Sequence, residues 1–234
     1  MVFSGFDERV IPFLQSIRQN NNKEWFEANK HIYTKLILEP CRAFVNEFGE
    51  HLMAIEPTVN FLPKINGSLF KIYRDTRRSD AVSTPIKHKI GIIFWQGGGK
   101  RLQSSSFYLH FSPDELFVST GVRWFEKPML DAYRDYIKDD KNRAELSSII
   151  EDIKQKDKRY ALIQKGYKRY PKGFDKDMQG VELSLYKGMA MYKILKPELI
   201  CDGEKLIETL YKIYEDMTPL HRFMYRVSLR VKDG

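Results

Sequence analysis

The chain is poor in the residues and motifs that usually announce a chemistry. It has two cysteines, Cys41 and Cys201, set 160 residues apart inside helical patterns. That spacing fits buried thiols better than a disulfide scaffold or a metal site. The longest apolar stretches, such as Ile90 to Trp95, fall far short of the roughly 20 residues a membrane-spanning helix needs. Met1 to Phe13 carries Asp7 and Glu8 where a signal peptide would be basic and then apolar, so the expectation is a cytoplasmic protein with no membrane partner. G-x-G-x-x-G, G-x-S-x-G, H-E-x-x-H and paired C-x-x-C are all missing, which removes the dinucleotide, hydrolase-elbow and zinc templates. Gly97, Gly98, Gly99 and Lys100 lack the spacing of a phosphate loop, and no helical pattern follows the lysine. His31, His51, His88, His110 and His221 show no ligand spacing, and the D-x-D of Asp175 and Asp177 lies in a polar loop. No metal site is expected, and any cofactor is unknown from the sequence.

What is present is a core and an uneven charge. With 234 residues, 42% hydrophobic and 13% aromatic, the chain has material for one large domain, and no linker or repeat divides it. The first third reads as helical: Asn22 is a natural N-cap for a helix starting at Lys23, and Pro40 marks a restart. After it, Cys41, Phe44, Val45, Phe48 and Leu52 form one buried stripe. The middle changes to β-branched and aromatic runs, at Ser68 to Tyr73, Lys87 to Trp95, Phe107 to Phe111 and Leu116 to Trp124, separated by polar or glycine-rich turns. From Lys127 onward the pattern is helical again, with a helix from Gly203 to Met217 that Pro219 should kink or stop. The expected fold class is α+β: a central antiparallel sheet over about residues 61–124, packed with N-terminal and C-terminal helices. In finer terms, 1–57 is read as helical, 58–125 as a β meander and 126–234 as helical.

Residues 64 to 101 hold nine Lys or Arg against Asp75 and Asp80, and residues 154 to 176 hold nine against Asp157 and Asp175. The whole chain is only +8, so these two basic blocks sit in an acidic frame and can focus a field on an anionic partner. The first block centres on Arg74, Asp75, Thr76 and Arg77. Guanidinium forks there can present paired donors to a phosphate or carboxylate, with Asp75 fixing an arginine or acting as a base. If the strand after Pro85 pairs with the one containing Tyr73, Lys87 joins Arg74. Alternation of Phe107, Leu109 and Phe111 with Tyr108 and His110 puts the last two on one face of a strand, where they can supply a donor and a proton shuttle. Lys172, in the loop Pro171 to Phe174, is a further anion-binding candidate.

Phe3 to Phe6, Asn21 to Lys30 with Tyr33, the central Tyr73 to Arg77, then Thr84, Pro85 and Lys87, and finally Pro171 to Asp175 resemble a bacterial family of conserved proteins of similar length, classified as domain of unknown function 2461. The family pattern is similar to R-x-x-R-D-x-R-F, followed by an Asp or Asn, a Lys, and a Tyr after Thr-Pro. Here Lys71 stands for the first Arg, Arg78 for the Phe, Val82 and Ser83 occupy the region of the acid and Lys, and Ile86 replaces the Tyr. Arg74, Asp75 and Arg77 remain. The resemblance implies no reaction, because none is assigned to the family.

Three readings stay open on the sequence. The first is a site for a phosphate-bearing or other anionic ligand, built from Arg74, Arg77, Lys87 and Lys172, with Asp75, Tyr108 and His110 as acid or base groups if it is an enzyme. The second is a non-catalytic nucleic-acid-binding module using segments 64–101 and 154–176, with Tyr160, Tyr167, Tyr170 and Phe174 as stacking groups. The third makes the Arg and Asp motif purely structural, with function at a partner surface.

Overall fold

The computed structural model describes residues 3–75, 77 and 82–231. In chain order the elements are α1 (Val10–Gln19), α2 (Lys23–Tyr33), α3 (Glu39–Met53), β1 (Val59–Asn60), β2 (Ile90–Gln96), β3 (Ser106–Phe111) and β4 (Leu116–Val122), followed by α4 (Lys127–Lys138), α5 (Asp140–Lys156), β5 (Ala161–Leu162), β6 (Met189–Leu195) and α6 (Gly203–Ser228). The strands form one antiparallel sheet in the order β1-β2-β3-β4-β6-β5, with Ala161 opposite Tyr192 and Leu162 opposite Met191. The class is α+β, as expected.

The Asn22 side chain caps α2 by accepting from the Trp25 N–H at 2.8 Å. The restart at Pro40 takes the form of a π-helical turn, Thr34–Leu38, joining α2 to α3 without a break; the Glu39 N–H donates five residues back to Thr34. A wider turn here accommodates a proline that cannot donate to the carbonyl four residues earlier.

Three elements differ from the sequence reading. Ser68 to Tyr73 makes isolated bridges, Leu69 to Ile92 and Tyr73 to Ile86, rather than a regular strand. The sheet also continues past residue 124 into the stretch read as helical, through β5 and β6. Finally, α6 runs through Pro219 to Ser228. Beyond the proline, Leu220, Phe223, Met224 and Val227 are completely buried. Burial at about 1.5–3 kcal/mol for each such side chain outweighs the about 3 kcal/mol that an interior proline costs.

The chain divides into two compact units, each assembled from separate stretches. Unit 1 is Met1–Phe94, Tyr108–Val118 and Ile194–Lys212. Its core is an aromatic cluster in which Phe44 stacks on Phe48 at 5.2 Å, both meet Phe94, and Phe6 lies 4.8 Å from Phe111. Unit 2 is Trp95–Phe107, Ser119–Lys193 and Ile213–Gly234. There Phe107 stacks on His221 at 4.2 Å and the buried Tyr133 hydroxyl donates to the Leu183 carbonyl at 2.9 Å.

Candidate functional site

In unit 1 the segments around Tyr73 and Ile86 form a short antiparallel ribbon, with Arg74 N–H donating to Pro85 at 2.8 Å and Lys87 N–H to Ile72 at 2.8 Å. A ribbon this short needs a second partner, and Asn21 supplies one. Its side-chain amide donates to the Ile86 carbonyl at 2.8 Å and its oxygen accepts from the Ile86 N–H at 2.9 Å, standing in for a neighbouring strand. Tyr73 packs edge-on against Phe26 at 5.5 Å and its hydroxyl donates to Glu27. Burial and that carboxylate push the Tyr73 hydroxyl up to about 12. The N-terminal residues Asn21, Phe26 and Glu27 therefore hold the ribbon that carries Arg74 and Lys87.

The ribbon crowds cations. Burial lowers the Lys87 ammonium from its ordinary value, and the charges of Arg74 and Lys89 lower it further; its Nζ donates to the Lys71 carbonyl at 2.6 Å. Burial likewise lowers the neighbouring His88, with Arg18 and Arg74 adding to the effect and Asp114 opposing it. Arg18 forks onto Asp114, with one contact at 3.1 Å. The Arg74 Nε is desolvated and has no acceptor among the described residues. The ribbon thus brings Lys87 near Arg74, and His88, which the pairing argument did not include, lies beside them.

Asp75 and Arg77 take a different course. The Arg77 guanidinium forks onto Asp75 at 2.9 and 2.5 Å, and its backbone N–H donates to the same carboxylate at 3.2 Å. The pair is exposed, with the Arg77 side chain 88% accessible. The same triplet geometry recurs at Asp7 and Arg9, and at Asp157 and Arg159. Asp-x-Arg is therefore a local turn in this chain, and the Arg77 fork already holds a carboxylate. Thr76 and Arg78 lie outside the described residues.

Tyr108 and His110 share one face of β3, their rings 5.7 Å apart. His110 is buried, stacks on Phe117 at 4.9 Å, and has its Nε2 3.1 Å from Glu115 Oε1. Tyr108 packs edge-on against Phe70, and its hydroxyl lies where a side chain at Gly91 would fall. Ser112, Pro113, Asp114 and Glu115 read in the sequence as turn residues, but nothing in that reading marked Glu115 as the partner of His110. The contact ties β3 to the hairpin turn that carries Asp114.

Lys172 belongs to unit 2. Pro171 to Phe174 is a turn closed by Phe174 N–H to the Pro171 carbonyl at 3.1 Å, with Gly173 at a φ of +87°, a conformation a β-carbon would strain. Buried Phe174 anchors it. Lys172 lines an open groove of about 860 Å³ together with Arg134, Lys138 and Arg230. Lys127 and Asp131, also on its wall, pair with each other at 2.6 Å. Of the expected stacking groups, Tyr160 and Phe174 are buried and Tyr170 is exposed. Asp175 accepts the Asp177 N–H at 3.3 Å, an ordinary turn contact. Among the described residues no three His, Cys, Asp or Glu side chains gather as metal ligands, and no helix is long and apolar enough to cross a membrane.

An α+β protein with a cation-rich ribbon beside its sheet is the class these features define. The model of the conserved hypothetical protein family DUF2461 matches residues 9–223, nearly the whole chain, and the chain belongs to that family. A comparison with curated proteins returned no match.

Proposed function

We propose that unit 1 binds a small phosphate-bearing or similar anionic ligand at Arg74, Lys87 and His88. The observation that carries this reading is the crowding of three cationic or protonatable groups on one half-buried ribbon, where burial and the Arg74 and Lys89 charges lower the Lys87 ammonium and the Arg74 Nε has no acceptor among the described residues. Like charges held together out of water destabilise the unliganded protein, and an anion among them removes that cost. The exposed Asp75 and Arg77 pair sits next along the chain and contributes a fork only by giving up its internal contact. Burial of His110 favours a role in fixing the β3–β4 turn, so the reading is of binding rather than turnover.

A thermal-shift series with inorganic phosphate, pyrophosphate, sulfate and nucleoside phosphates tests it. At least one of these anions raises the wild-type melting temperature, Arg74→Ala and Lys87→Met lose the response while remaining folded, and Arg77→Ala keeps most of it. A response that survives both Arg74→Ala and Lys87→Met would place the anion elsewhere.

A further inference from the structure

Unit 2 carries a second feature, in which Tyr167 and Lys172, both candidates from the sequence, meet Trp124, Lys187 and Arg134, which no sequence motif marks. Trp124 is 59% exposed, a large aromatic surface left in water. The Lys187 ammonium lies 5.4 Å from the Trp124 ring and 5.2 Å from the Tyr167 ring, and the Arg134 guanidinium lies 4.6 Å from Tyr167. Aromatic and cationic groups thus alternate in a row: Trp124, Lys187, Tyr167, Arg134. Arg134 also lines the groove that holds Lys138, Lys172 and Arg230, so the row runs directly into a cationic trough.

The backbone fixes this row. Phe125 N–H donates to the Lys187 carbonyl at 2.7 Å, which sets Trp124 beside Lys187, and Tyr167 N–H donates to Leu185 at 2.9 Å. Gly166 makes room for Lys187: a β-carbon there would fall 2.1 Å from the lysine Cγ. Arg134 is steadied by a 3.4 Å bond from its Nη2 to the Ser184 carbonyl, while its Nε is desolvated without an acceptor among the described residues.

We propose that this row and groove bind single-stranded nucleic acid, with a base stacked on the open surface of Trp124 and the adjoining phosphates running along Lys187, Arg134, Lys138 and Lys172. Stacking on an aromatic surface is available to any base, and a line of cations follows a phosphate backbone without reading sequence. A purely electrostatic surface has no use for an exposed indole held against a lysine. The inference does not depend on the anion site of unit 1.

Fluorescence anisotropy with labelled oligo-dT and oligo-rU, against a duplex of equal length, inorganic polyphosphate and the mononucleotide UMP, tests it. The single strands bind more tightly than the competitors, and affinity falls steeply as salt rises from about 50 to 200 mM. Trp124→Ala weakens binding about tenfold and Trp124→Phe restores most of it. Lys172→Ala lowers the salt slope by about one. The proposal is overturned if neither oligonucleotide binds at low salt. It is equally overturned if Trp124→Ala binds like the wild type, or if duplex, polyphosphate or UMP competes as well as the single strands.

Discussion

Asp7 and Arg9, Asp75 and Arg77, and Asp157 and Arg159 make the same fork through the same backbone contact. Their shared geometry follows from a short acidic side chain two residues ahead of a planar donor, and it needs no tertiary partner. The Arg9 fork holds the exposed Asp7 carboxyl down at about 2. The candidates of the first basic block thus split into a locally satisfied pair, Asp75 and Arg77, and the crowded Arg74 and Lys87, which His88 joins. Because His88 is held below its ordinary value of 6.5, it is neutral at pH 7 and an anion favours its charged form. Sulfate affinity therefore rises as pH falls from about 7.5 to 5.5, and His88→Gln flattens that rise; calorimetric titration across the range checks it. His221 gives a second, opposite test. It is sealed in unit 2 between Ser105 at 3.0 Å and Gln96 at 2.9 Å, and burial lowers it to about 3 from 6.5. A base lowered in the folded state stabilises fully above its unfolded value and loses that contribution as pH falls. The unfolding free energy from urea titrations should therefore fall between pH 6 and pH 4 by about 1 kcal/mol per pH unit, and His221→Gln should reduce the slope.

At the scale of elements, α6 holds its course through Pro219 because its second half is buried. Pro219→Ala restores a backbone donor and should stabilise the protein by about 1–3 kcal/mol in urea unfolding, whereas a loss of stability would mean the proline shapes the helix's packing. Much of the sheet was legible. The alternation in β3 located Tyr108 and His110 on one face, and the pairing of Tyr73 with Ile86 brought Lys87 to Arg74. Less was legible where long-range contacts decide. Met189–Leu195 lacks a β-branched run and reads poorly as a strand, yet pairing with β4 and β5 makes it one. Ser68 to Tyr73 has the right residues but only scattered bridges, and part of its ribbon is completed by the amide of Asn21 rather than by a strand. In the same way, Trp124 and Lys187 are unremarkable in sequence and meet only because Phe125 bonds to the Lys187 backbone.

For the whole molecule, the net +8 comes from two basic blocks. Arg74 and Lys87 of the first lie in unit 1, and Lys172 of the second lies in unit 2. The two proposed ligands differ in kind, and salt separates them. A site for one phosphate or sulfate loses little affinity between about 50 and 200 mM salt, while a contact with many phosphates loses orders of magnitude. Trp124 and Lys172 are exposed, so Trp124→Ala and Lys172→Ala should leave the melting temperature of the unliganded protein nearly unchanged. The most direct test of the central claim is calorimetric titration of pyrophosphate into the wild type, Arg74→Gln and Lys87→Met at two salt concentrations. Saturable binding by the wild type that is weakly salt-dependent and lost in both variants is the predicted result. Binding that both variants retain, or no binding by the wild type to pyrophosphate, phosphate or sulfate, would contradict an anion site at Arg74 and Lys87.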